Sequence, residues 1–348
     1  MQRIPRSLLL CVFMVPLLRV ADSFAAPPPL QNTRIVVLDG FTSDQGSPEV
    51  WSECLGHPAT VYARTSPDLV LKRIGDAQAV LTSKVVIDEP VMDACKQLQY
   101  VGVTATGYNM VDLDAARKRG IAVTHVPVYS TASVAQMVAA YLTHDASAVS
   151  ALAATARDHW PHALDFCSLS HPMTELAGKR LALVGRGAIG AAVARIAEAF
   201  EMEVLWAQLP GREPKPDSVP LRNALAKADY VSLHVPLAEE TQAMVNVDFL
   251  RAMQPGAVLI NTARGGLLDE DAVAAALDSG LLRRAYLDVL LQEPPATLSS
   301  SLRLLRHARA VVTPHAAWGT REARRRCVEA SAANVRAWAA GERLNRLC

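Results

Sequence analysis

From Arg34 onward, short aliphatic runs alternate with stretches of helical spacing. The first series of runs covers residues 34–38, 60–62, 79–81, 100–103 and 121–124, each bounded by Gly, Pro, Asp or Thr. Apolar runs of this length suit strands buried on both faces of a parallel sheet. Between them, 69–74, 91–97 and 113–118 carry helical spacing. A second series covers 181–184, 203–206, 230–234, 257–260, 285–289 and 310–313. An Ala-rich stretch, 133–157, reads as one helix between the two series, and 321–340 reads as a last helix. This alternation predicts an α/β protein with two doubly wound parallel-sheet domains.

The N-terminus breaks the pattern. Arg3 and Arg6 precede an apolar run at 8–18, followed by Ala21, Ser23 and Ala25, then Pro27, Pro28 and Pro29. This order fits a targeting segment over residues 1–30, leading to the secretory route or to an organelle such as a plastid. The run is shorter than the roughly 20 residues a membrane span needs, so no stable span is expected in the mature chain. The other reading is a start near Gln31 and a cytoplasmic protein.

Composition narrows the function classes. The 348 residues carry 35 Lys and Arg against 34 Asp and Glu, a net charge of +1. That balance gives no electrostatic reason to expect a nucleic acid partner. The six cysteines form no C-x-x-C pair and are too sparse for a disulfide scaffold. His159, His162, Cys167 and His171 lie close together, but their spacing is not a zinc pattern, so no metal is expected.

The chemistry lies in the second series. Residues 181–184 lead into Gly185-Arg186-Gly187-Ala188-Ile189-Gly190 and a helical run at 191–200. This is G-x-G-x-x-G between a strand and a helix. Gly185 permits the tight turn, Gly187 the approach of a pyrophosphate, and Gly190 close packing of helix on sheet. An acid at the end of the next strand would select NAD by holding the ribose 2′-OH. Gln208 stands there, with Arg212 four residues on, so NAD or NADP is the expectation.

Three later strands end in reactive residues. Arg264 follows Ile260, Glu293 follows the Leu287-Asp288-Val289 segment, and His315 follows Val312-Thr313-Pro314. Ligands bind beyond the carboxyl ends of strands in open α/β sheets. Arg suits a small carboxylate or keto acid because its planar fork binds oxygens in pairs. Reduction of a keto group requires a proton, which an imidazole is suited to donate. A carboxylate beside it fixes the ring and stabilises the imidazolium.

With these motifs in place, the chain resembles the D-isomer-specific 2-hydroxyacid dehydrogenases over nearly all of residues 34–345, most of all the glycerate dehydrogenase or hydroxypyruvate reductase branch. The intervals of 29 residues from Arg264 to Glu293 and 22 from Glu293 to His315 match that family's Arg–Glu–His triad. The resemblance implies a flavodoxin-like substrate domain, 34–131 plus 317–348, and a Rossmann NAD(P)-binding domain, 132–316, with a cleft between them. It implies that Arg264 binds substrate, Glu293 supports His315, and His315 supplies the proton. It places Ala188, Ile189, Gln208, Thr262, Ala263, Arg264, Asp288, His315 and Trp318 on the cofactor, with Asp288 at the nicotinamide carboxamide. The loop Val103-Thr104-Ala105-Thr106-Gly107 resembles the one whose backbone grips the substrate carboxylate, giving Ala105, Thr106 and Gly107 as substrate contacts. Leu38-Asp39-Gly40 also fits this branch.

The expected reaction is reversible hydride transfer between hydroxypyruvate or glyoxylate and D-glycerate or glycolate, in a homodimer. Another D-2-hydroxy acid, such as 3-phosphoglycerate or D-lactate, and a non-catalytic NAD(H)-sensing protein of the same fold are the alternatives. The chain departs from the pattern at Gln208, at His125, and at Thr143-His144-Asp145-Ala146-Ser147, which puts polar residues where a dimer-facing helix is normally aliphatic.

Overall fold

The structure is a computed structural model describing residues 27–348. The charged and apolar parts of the expected targeting segment lie outside the described residues. Two parallel sheets organise the rest. The first holds β1 (Ile35–Val37), β2 (Ala59–Val61), β3 (Ala79–Thr82), β4 (Tyr100–Val103) and β5 (Ala122–Thr124), in the order β2-β1-β3-β4-β5. The second holds β6 (Arg180–Val184), β7 (Glu203–Gln208), β8 (Ser218–Pro220), β9 (Tyr230–Leu233), β10 (Ala257–Asn261), β11 (Leu282–Leu287) and β12 (Ala310–Val312). Its order is β12-β11-β10-β9-β6-β7-β8. Each strand order reverses once, between β1 and β3 and between β6 and β9, which opens a crevice at the carboxyl edge of each sheet.

The central strands β1, β3, β4, β9 and β10 are buried along their whole length, as at Val80, Val101, Val231 and Leu259. This is why they read as continuous apolar runs rather than alternating ones. β8 escapes the pattern because it is a three-residue edge strand ending in Pro220. An edge position tolerates Pro, since no ladder hydrogen bond is lost on the open side.

The stretch read as a single helix is two. Thr131–Ser147 and Val149–Asp158 are separated by Ala148, whose φ is 49°. The first helix buries Val138, Tyr141, Leu142 and Ala146 against the second sheet, whereas the second helix buries nothing within the described residues. The chain therefore turns away once core contact ends, a decision without a Gly or Pro to announce it. The polar cluster in the first helix is also accounted for internally. Asp145 is buried, accepting from the Tyr230 hydroxyl at 2.9 Å and from the Arg283 fork at 2.8 and 3.0 Å. His144 Nδ1 bonds the Tyr286 hydroxyl at 2.9 Å.

The Arg321–Ala339 helix returns to the first sheet. There Val328, Ala332, Val335 and Trp338 pack with Trp51 and Tyr100. The Tyr100 and Trp338 rings lie 4.9 Å apart. Ser133 donates to the Ala317 carbonyl at 2.5 Å, joining the two crossing segments where the domains meet. Among the described residues, no helix is long and apolar enough to cross a membrane.

Candidate active site

The turn after β6 is shaped by close backbone approach. Gly185 has φ of 114°, and a Cβ there would overlap the His234 carbonyl. A Cβ at Gly190 would overlap the Gly185 carbonyl. Gly187 instead faces open space and begins the Ala188–Ala199 helix with no side-chain cap. Ala188 and Ile189 form the first turn, so their N–H groups and the positive dipole end suit a phosphate. Thr262 supplies a further sign. Its Oγ1 is buried and has no hydrogen-bond partner, a cost that a bound polar group removes. The glycine cradle, the uncapped helix and this hydroxyl fit a dinucleotide.

Arg264 follows β10 in a turn built by Asn261. The Asn261 side chain is fully buried; it accepts from Ala263 N–H at 3.0 Å and donates to the Arg264 carbonyl at 2.9 Å. Gly265 is required because a Cβ would overlap the Leu290 carbonyl of the neighbouring loop. The Arg264 guanidinium donates to the Ala263 carbonyl at 2.7 Å and lies against Gly107, on the loop that follows β4 in the first domain. Two segments more than 150 residues apart thus meet across the cleft. The loop itself is braced from behind. Thr106 Oγ1 donates to the Val126 and Pro127 carbonyls at 3.0 and 3.1 Å. His125 Nδ1 bonds the Thr106 carbonyl at 2.9 Å, and Val126 N–H donates to the Ala105 carbonyl at 3.0 Å.

His315 and Glu293 are paired at 2.7 Å, His315 Nδ1 to Glu293 Oε2. Leu290 N–H donates to the other Glu293 oxygen at 2.9 Å. Burial pushes the Glu293 carboxyl up, but the His315 bond and charge, the Leu290 N–H and the Lys84 charge outweigh it and hold it below the usual range. Buried Glu270 secures the loop that carries Glu293. It accepts from Leu291 N–H and from the Ser300 and Ser301 hydroxyls, each at 2.7 Å.

Asp288 organises the segment on the other side. Its buried carboxylate accepts from the Thr313 hydroxyl at 2.5 Å and from Ala316 and Ala317 N–H at 2.9 Å each. Its carbonyl accepts His315 N–H at 2.8 Å. His315 sits between these anchors at φ 50°, a left-handed conformation that a non-glycine residue holds only when its surroundings impose it. A carboxylate has about four acceptor positions. Asp288 thus spends most of its capacity on fixing the segment that carries His315 and has one acceptor position left.

Gln208 and Trp318, two of the expected cofactor contacts, also have partners within the chain. The Gln208 amide donates to the Arg212 carbonyl at 2.6 Å and to the Leu209 and Glu213 carbonyls at 3.2 Å each, closing its own loop. Arg212 pairs with Glu240 at 2.6 Å. The Trp318 ring packs edge-on to Tyr129 at 6.0 Å, in a cluster with Cys327 of the first domain. The histidines and Cys167 noted between the domains do not converge. His171 bonds Thr155, and no group of three metal-ligating residues occurs among the described residues.

Sequence reasoning passed over Asn261, Glu270 and Thr313. Each is a polar residue next to a strand or helix end, and its importance lies in which distant backbone it reaches.

Comparison with known proteins places the chain in a family. The model of the D-isomer specific 2-hydroxyacid dehydrogenase NAD-binding domain matches residues 134–317. The chain belongs to the D-isomer specific 2-hydroxyacid dehydrogenase family. It is 35% identical over 323 residues to a hydroxypyruvate reductase of Blautia hydrogenotrophica, covering 90% of this chain and 98% of that one. It is 33% identical over 291 residues to a glycerate dehydrogenase of Methylorubrum extorquens, covering 83% and 91%. The crystal structure of the TT0316 protein from Thermus thermophilus superposes with a TM-score of 0.77 at 35% identity, covering 90% of this chain and all of that one. As a dehydrogenase of this family, the chain is an NAD-dependent oxidoreductase with a Rossmann domain and a second parallel-sheet domain.

Proposed function

We propose that the chain reduces hydroxypyruvate or glyoxylate to D-glycerate or glycolate, with His315 as proton donor. The observation that carries this reading is the 2.7 Å pair between His315 Nδ1 and Glu293, at the same sheet edge as Arg264. That bond occupies one ring nitrogen and leaves Nε2, which makes no hydrogen bond among the described residues, for the substrate oxygen. The names of the two relatives given above support this substrate class.

The substrate carboxylate lies between the Ala105–Thr106–Gly107 backbone and Arg264. Arg264 also polarises the carbonyl, stabilising negative charge as it develops on oxygen. His315 hands its proton from Nε2 to that oxygen, and Glu293 stabilises the imidazolium before transfer. Bound NAD(H), when reduced, supplies the hydride. Gly185, Gly187, Gly190 and Thr262 would hold it, and Asp288 would offer its remaining acceptor position to the carboxamide.

A homodimer is part of the same proposal. Leu164, Phe166 and Leu169 are exposed at 104%, 90% and 78% on the segment that leaves the second domain's long helices. Exposed apolar side chains clustered in this way mark an interaction surface. The N-terminal 30 residues are proposed to direct the chain to its compartment.

The test is reduced-nicotinamide absorbance with hydroxypyruvate, glyoxylate and pyruvate as substrates for the purified protein. Rapid oxidation with the first two is expected. Tight cofactor binding without oxidation of any of the three would overturn the reading.

A further inference from the structure

The sheet of the first domain has the order β2-β1-β3-β4-β5, so its topological switch point lies between β1 and β3. Ligands of such sheets bind in the crevice that this reversal opens. In this chain the crevice is built around Asp39, just after β1. The Asp39 carboxylate accepts Ser83 N–H at 2.8 Å and Lys84 N–H at 2.6 Å, from the turn after β3. Thr82 Oγ1 accepts Val85 N–H at 3.0 Å and closes the same turn. Burial raises the Asp39 carboxyl, offset in part by these N–H donors. A half-buried carboxylate kept for two backbone amides is costly unless the turn it fixes matters.

The turn aims Lys84. The residue is exposed and forms no close ion pair among the described residues. Thr104 N–H donates to the Thr82 carbonyl at 2.8 Å, so the Lys84 turn stands beside the substrate loop. Neighbouring strands lie about 4.8 Å apart, which puts the two within reach of one small molecule. Across the cleft, the Lys84 charge acts on Glu293, after burial, His315 and the Leu290 N–H. Its charge therefore lies within electrostatic reach of the Glu293–His315 pair.

A keto acid with only a carboxylate and a carbonyl is served by the 105–107 backbone, Arg264 and His315. Lys84 is a surplus cation in that set. We propose that Lys84 is a specificity-determining residue whose ammonium donates to the oxygen on carbon 3, favouring 2-keto acids that carry one. This rests on the keto-acid reductase reading above and adds the feature of the substrate that is read. Lys84 provides three rotatable donors and a point charge, so it serves a hydroxyl at that carbon without the planar demand of a guanidinium.

The experiment compares hydroxypyruvate, which has the carbon 3 hydroxyl, with glyoxylate, which has no carbon 3. Steady-state kcat/KM is measured with NADH for the full-chain wild type, Lys84→Met and Lys84→Arg. Lys84→Met is expected to lower kcat/KM for hydroxypyruvate by about 10- to 100-fold, the range for a lost charged hydrogen bond, and for glyoxylate by less than about 3-fold. Lys84→Arg is expected to recover most of the hydroxypyruvate loss. A parallel fall for both substrates, or no fall, with an active wild type overturns this assignment alone. A wild type that reduces neither substrate overturns the reductase reading and this assignment with it.

Discussion

The Cα of Gly107 lies so close to the Arg264 guanidinium that a methyl group at residue 107 would occupy its place. One residue lies on the loop after β4 of the first domain, and the other on the turn after β10 of the second. Their contact joins the two domains. Gly107→Ala is expected to displace the guanidinium and lower kcat/KM by about 10²-fold, since small misplacements of a positioning group cost that much. Arg264→Lys should not restore activity to an Arg264→Ala variant, because an ammonium lacks the paired geometry. Wild-type kinetics in Gly107→Ala would show that the contact carries no catalytic weight.

His315→Ala is expected to reduce kcat by about 10²–10⁴-fold with a smaller change in KM, as removal of a general acid does. Glu293→Gln should be milder and show a distinct pH signature. Without the carboxylate the ring loses the partner that orients it, and the acid limb set by titration of Glu293 should be absent. Glu293 is held below the usual carboxyl range, so in the wild type this support fails only as the pH drops through that lowered value. An unchanged pH–rate profile for Glu293→Gln would contradict the pairing.

Asp288→Asn turns one acceptor into a donor facing an N–H of the 316–317 segment. The left-handed conformation of His315 then loses part of its anchorage. Stability is expected to drop by about 1–3 kcal/mol, the usual effect of a broken buried hydrogen bond. kcat should fall about 10- to 100-fold, since small misplacements of a reacting group carry losses of that order. Thermal melts and kcat on the same preparations test both. A melt that moves while kcat does not would confine Asp288 to a structural role.

His234 predicts how acid acts on the fold. Burial lowers its pKa from 6.5 to about 4, and its Nε2 bonds the Ser232 hydroxyl at 2.9 Å. Below pH 6.5 the unfolded chain takes up a proton that the folded chain refuses, so stability falls as the pH drops towards about 4 and then levels. The ring keeps some solvent contact, so the loss stays below the about 3 kcal/mol that the whole shift implies. Denaturant melts of wild type and His234→Gln between pH 7 and 4 test this. The variant should show a flatter slope, and equal slopes would rule His234 out as the cause.

The central strands of both sheets were readable because they are short apolar runs buried on two faces, and β4 begins and ends where the pattern places it. The phosphate turn was readable for a similar local reason, three glycines in fixed register between a strand and a helix. The break at Ala148 was not. It depends on where the helix runs out of core to bury, and the second sheet supplies that boundary. The small edge strand β8 was missed because three residues at a sheet margin carry no periodicity.

Sequence alone determined the alternation of strands and helices, the glycine turn, and the identities and intervals of Arg264, Glu293 and His315. These are local or countable properties. Tertiary structure decided where the polar side chains were directed. It turned the Gln208 amide onto its own loop, placed Asp288 beneath His315, set Gly107 against Arg264, and used Asp39 to fix the turn that carries Lys84. Each of these is a hydrogen bond or contact between segments remote in the chain or folded back on themselves. Its existence depends on backbone groups that only the packed sheets bring into range.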